Sequence, residues 1–126
     1  MTISLAMITI DTADAEKLAG WWSEQLGGVI TETNGGWYVL VKVESPPMLV
    51  SFQKVEDPTP GKNKVHLDLS AEDLDAEVER LLGVGASLVE RRGDESFRWV
   101  TLADPDGNQF CVAGRQQATS EFDSAG

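Results

Sequence analysis

Hydrophobic and polar positions run through the same order twice along this chain. Residues 3–10, ISLAMITI, alternate and are rich in branched side chains, which predicts a strand. A polar DTADAE then opens a stretch in which Leu18, Trp21, Trp22 and Leu26 recur at helical spacing, and Gly27-Gly28 ends it. Three short strands are expected next, at 29–31, 37–43 and 48–53. Asn34-Gly35-Gly36 and Ser45-Pro46-Pro47 supply the turns between them.

The order then restarts. Val65-His66-Leu67-Asp68-Leu69 reads as a strand, and Ser70-Ala71-Glu72-Asp73 matches a helix-start pattern with Ser70 as the cap. Leu74, Val78, Leu81 and Leu82 share one helical face, closed by Gly83 and Gly85. Strands at 87–90, 97–102 and 109–113 complete the set, with Asp104-Pro105-Asp106-Gly107-Asn108 as a tight turn. The prediction is therefore an α+β chain of two βαβββ modules, residues 1–56 and 63–114. A stiff connector, Asp57-Pro58-Thr59-Pro60-Gly61, joins them, and residues 116–126 form a frayed tail.

Composition narrows the class without naming a function. The 126 residues are 41% hydrophobic and 25% charged, which suits one ordinary globular domain. No apolar run approaches the roughly 20 residues of a membrane span, and the opening residues lack a basic signal region. The chain is read as soluble and cytoplasmic. Its 21 acidic against 10 basic residues give a net charge of −11, so nucleic acid and anionic membranes are excluded as partners. Cationic small molecules remain compatible, and solubility alone would also explain the charge. One cysteine, Cys111, can form no internal disulfide.

Strand parity supplies the candidate site. With Val65, Leu67 and Leu69 packed on helices, His66 and Asp68 share the opposite, concave face. Phe110 and Val112 facing the helix layer leaves Gln109 and Cys111 on that same side. In the first half Ile8 and Ile10 pack outward, Met7 and Thr9 look inward, and Leu49, Ser51 and Gln53 form the inward set of a later strand. His66, the only histidine, has Asp68 near enough to influence its charge. It reads either as a general base or ligand contact, or as a structural histidine. Cys111, flanked by Phe110 and Val112, reads as a buried inert thiol. Of four tryptophans, Trp21 and Trp22 suit the core; Trp37 and Trp99 sit on strands where they could wall the hollow or serve as ordinary core. Tryptophan walls and acidic surroundings would suit a flat aromatic cation.

Three anchors around this repeat, Trp21-Trp22-Ser23-Glu24-Gln25-Leu26-Gly27, His66-Leu67-Asp68-Leu69 and Asp104-Pro105-Asp106-Gly107-Asn108-Gln109-Phe110, carry a family resemblance. The chain resembles the vicinal oxygen chelate superfamily of glyoxalase I, bleomycin-resistance proteins and extradiol dioxygenases, and its glyoxalase-like branch most. The resemblance implies two paired βαβββ modules whose curved sheet wraps a cavity, and a homodimer. It places Met7, Ser51 or Gln53, His66 and Cys111 at the metal-ligand positions of metal-dependent members. Only His66 matches in kind, so no cofactor is expected and a divalent metal is not. The expected function is binding of a small molecule, aromatic or cationic, in a cavity lined by Met7, Ser51, Gln53, His66, Asp68, Trp37, Trp99 and Cys111. The alternative is a glyoxalase-like lyase, isomerase or dioxygenase with His66 as the catalytic residue.

Overall fold

Asp14 turns the chain out of its first strand and into its first helix. Its backbone is extended (φ −139°, ψ 90°) and its carboxylate accepts the Lys17 N–H at 3.2 Å, satisfying a donor that the first helical turn leaves open. The computed structural model describes residues 5–63 and 65–114 of the chain. The start of the expected opening strand, Lys64 and the tail 116–126 lie outside the described residues.

The helix that follows, α1 (Ala15–Leu26), buries Ala15, Leu18, Ala19 and Trp22, one stripe at i, i+3, i+4 and i+7. Gly27 ends it in the left-handed region (φ 64°), where its N–H reaches the Ser23 carbonyl. Around α1 lie β1 (Ile8–Thr12), β2 (Val29–Glu32), β3 (Tyr38–Glu44) and β4 (Pro47–Lys54). They form one sheet in the order β1-β4-β3-β2, with β1 parallel to β4 and the other pairs antiparallel. Val39, Val41, Val43, Val50 and Phe52 are buried, and α1 packs on β3 and β4.

The second module repeats this plan with β5 (Asp68–Ala71), α2 (Leu74–Gly83), β6 (Ser87–Gly93), β7 (Arg98–Ala103) and β8 (Gln109–Gly114). Its sheet runs β5-β8-β7-β6, again with a single parallel pair, β5 with β8. Leu74, Val78 and Leu81 of the helix and Val100, Leu102, Phe110 and Val112 of the sheet are buried. The two compact units divide between Pro60 and Gly61, inside the connector expected from sequence. Each is a βαβββ module with its own four-stranded mixed sheet, the α+β class expected.

Two local expectations are corrected. Ser70 does not cap α2: it lies in β5, and Asp73 is the cap, accepting the Ala76 N–H at 3.1 Å. The strand continues through Ala71, opposite Gly114, so the backbone is still extended where the capping pattern would begin the helix. Val65 is not packed on a helix either; it is 78% exposed, because the strand begins only at Asp68. Leu67 nonetheless joins the ladder's end, its carbonyl accepting the Cys111 N–H at 2.9 Å.

Candidate functional site

One hollow of about 570 Å³ lies against the sheet of the second module. The strand register explains which side chains reach it. Across β5, β8 and β7, Asp68 is opposite Cys111 and Cys111 opposite Thr101. In the next row Ser70 is opposite Ala113, Ala113 opposite Trp99, and Trp99 opposite Arg92 of β6. All of these line the hollow, as do Gln109 and, from outside the strands, Lys62, His66 and Phe97. Alternate residues Val100 and Val112 point to the helix side and are buried. The pleat thus separates the core from the hollow.

Polar contacts fix several of these groups. Nδ1 of His66 lies 3.0 Å from Oδ1 of Asp68, with both side chains solvent-accessible. Arg92 Nε donates to Thr101 Oγ1 at 3.0 Å, and Thr101 Oγ1 is 3.4 Å from Cys111 Sγ. Asn63 ties the approach segment to β8: its Oδ1 accepts the Gln109 N–H at 2.8 Å and its Nδ2 donates to the Gln109 carbonyl at 3.0 Å. Trp99 stacks at a tilt on Phe97, ring centroids 5.6 Å apart. The loop before β7 is held by Asp94, whose carboxylate accepts the Ser96 and Phe97 N–H groups and the Ser96 hydroxyl, which hold it below the ordinary carboxylate range. The turn before β8 is held likewise by buried Asp104, which accepts from the Asp106 and Asn108 N–H groups at 2.9 Å each.

Of the residues expected to share a cavity, the hollow gathers His66, Asp68, Trp99 and Cys111. Met7 and Ser51 belong to a polar knot within the first module. Ser51 Oγ is 2.6 Å from Thr9 Oγ1, and Met7 Sδ accepts from the Tyr38 hydroxyl at 3.1 Å and from Ser51 at 3.4 Å. The Ser51 and Thr9 hydroxyls favour the phenolate and pull the Tyr38 pKa below its ordinary value. Gln53 is exposed, and Trp37 is 59% exposed with Lys54 Nζ 4.8 Å above its ring. Trp22 is buried in the core, edge-on to Trp21 at 4.9 Å. Cys111 is only half-buried, with its sulfur on the hollow side.

Sequence reasoning missed Lys62, Arg92, Phe97 and Thr101. Arg92 lay beyond the expected end of its strand, because β6 runs three residues past Glu90. A register shift between Leu88 and Glu90 then aims Arg92 at the Trp99 row. Thr101 has the parity of Trp99 and was within reach of the same argument that placed Cys111.

The fit of a metal can be judged from the donors. The four positions named by the family resemblance supply a thioether, a hydroxyl or amide, an imidazole and a thiol. Asp68 adds a carboxylate, and the donor atoms of His66, Asp68 and Cys111 lie within 4.8 Å of one another. Yet Asp68 faces His66 Nδ1 at 3.0 Å, the place of a carboxylate that orients an imidazole rather than of a ligand beside it. That leaves one imidazole nitrogen and one thiol, short of the three protein ligands typical of catalytic zinc.

Fold and hollow together define a small βαβββ-module protein with its polar groups gathered on the open face of a mixed sheet. Residues 7–113 match the family model described as a glyoxalase-like domain, and the chain belongs to that family. No curated protein matches it significantly in sequence. Among solved structures, it is similar to a glyoxalase/bleomycin resistance protein/dioxygenase family enzyme from Burkholderia phytofirmans PsJN (TM-score 0.74, 17% identity, covering 88% of this chain and 98% of that one). It is also similar to the fosfomycin resistance protein FosX from Listeria monocytogenes (TM-score 0.72, 14% identity, 90% and 93% covered). A superfamily member from Sphaerobacter thermophilus shares 23% identity (TM-score 0.65, 88% and 97% covered). At these identities the likeness is one of fold.

Proposed function

We propose that this chain binds a small, flat aromatic molecule in the hollow of its second module, without a resident metal. The observation that carries the reading is the lining itself: an apolar wall of Trp99 and Phe97 beside His66, Asp68, Thr101 and Gln109. Small-molecule sites have this make-up, a mostly apolar concavity with a few convergent polar groups. The donor chemistry at His66, Asp68 and Cys111 supports a metal-independent mode. Titration of the full chain with a diverse panel of aromatic compounds should give saturable quenching of tryptophan fluorescence. Trp99→Phe should remove that response, while Trp22→Phe should keep it and lower stability. A panel without saturable quenching would end the proposal.

A second reading, proton-transfer catalysis, is favoured by the His66–Asp68 contact at 3.0 Å. A carboxylate on Nδ1 leaves Nε2 as the nitrogen able to take a proton from a bound molecule. Its signature would be deuterium incorporation from D2O into a bound ligand, abolished in His66→Ala. Without that exchange, binding alone stands.

A further inference from the structure

The acidity of the chain does not extend into its hollow. Acidic residues outnumber basic ones by 21 to 10 overall, yet the charged lining consists of Lys62, Arg92 and Asp68 with the His66 imidazole. Two fixed cations against one carboxylate reverse the sign of the whole molecule at this one place. We propose that the occupant is an anion, a monocarboxylate borne on a flat aromatic body, with its carboxylate on Arg92 and Lys62 and its ring against Trp99. The assignment rests on the hollow being a small-molecule site, and it gives that site a substrate class.

Arg92 is prepared for such a partner. Its Nε–H bond to Thr101 at 3.0 Å fixes the guanidinium plane. Nη1 lies 3.5 Å from Glu90 Oε2, beyond good hydrogen-bond length, and that carboxylate is more than half exposed. Nη2 has no partner among the described residues. The guanidinium therefore keeps donors in the planar arrangement that matches a carboxylate. Lys62 makes no hydrogen bond or ion pair among the described residues. The one carboxylate of the lining, Asp68, faces His66, which tempers its repulsion of an incoming anion.

Spacing supplies the aromatic part. Arg92 and Trp99 are register partners on adjacent strands, and adjacent strands lie about 4.8 Å apart. An arene carrying a carboxylate can thus meet the guanidinium with its charged end while its ring lies along the indole.

Calorimetry on the full chain with three matched probes tests this: 2-naphthoate, 2-naphthamide and 2-naphthylmethylammonium. Naphthoate should bind about tenfold tighter than the amide, and the ammonium compound weakest, as a charge-assisted hydrogen bond gives. Arg92→Gln should erase the preference for naphthoate over the amide. Lys62→Gln, at an exposed position that cannot disturb folding through Thr101, should reduce the same preference. Equal binding of all three probes, or tightest binding of the ammonium compound, would overturn the anion assignment and leave the hollow as a small-molecule site. Silence of both variants against a naphthoate preference would equally overturn the roles of Arg92 and Lys62. If none of the three probes binds, both the assignment and the site reading fall.

Discussion

Nδ1 of His66 and Oδ1 of Asp68 face each other at 3.0 Å on the same side of the second module, at the rim of the hollow. The pair gives the imidazole a fixed orientation. It also engages one oxygen of the carboxylate that lies with Cys111 in the same small group of donor atoms.

Zinc, nickel, manganese and iron(II) should accordingly bind no tighter than roughly micromolar, since a lone imidazole and thiol form an incomplete shell. Calorimetry reads this directly. Stoichiometric submicromolar binding that disappears in His66→Ala would refute it.

Tyr38 is the only tyrosine, so its ionisation can be followed by ultraviolet absorbance without interference from another phenol. Hydrogen bonds from the Ser51 and Thr9 hydroxyls lower its pKa in the folded chain, and the midpoint should fall below the ordinary value of about 10. The sign of the linkage follows. A lowered folded value means the unfolded chain holds the proton longer, so stability rises as pH climbs through the folded midpoint and is complete above about 10. Ser51→Ala should move the midpoint back upward; an unmoved midpoint would show that the knot does not act on the phenol.

Asp73→Ala should cost about 1 kcal/mol in denaturant unfolding, the usual loss of an N-cap, because its carboxylate serves the Ala76 N–H. Ser70→Ala should change stability by less than about 0.5 kcal/mol, as a surface substitution does. The reverse ranking would restore Ser70 as the cap.

Gly93 has φ 86°, and a Cβ there would press on the Phe97 carbonyl. Gly93→Ala should lose about 1–3 kcal/mol of stability through backbone strain. Because Arg92, Phe97 and Trp99 flank that turn, it should also weaken any aromatic ligand of the hollow, read as a rightward shift of the fluorescence titration.

Element order was legible in sequence because each module punctuates itself chemically. Gly27 does stop α1, the Leu74, Val78 and Leu81 stripe does face the core, and Asp104 does organise the last turn. Boundaries set by pairing were not. Ser70 and Ala71 are extended because Ala113 and Gly114 lie opposite them, a long-range partnership that no local pattern encodes. The site was legible where parity alone decides, as for Asp68 and Cys111 on one face. It was hidden at Arg92, which depends on a register shift in β6, and at Lys62, which reaches the hollow from outside any strand. Net charge could not locate the site for a physical reason: a total over 126 residues says nothing about where individual charges sit.

The pleat of β8 divides labour along the strand: Val112 is buried away from the hollow, while Gln109, Cys111 and Ala113 border it. If the hollow holds a ligand as proposed, its preference can drift by exchange at alternate positions while the residues that hold the module together stay fixed. A mutant library confined to positions 99, 109, 111 and 113 would explore new chemistries at little risk to folding, making this sheet a natural chassis for evolving receptors.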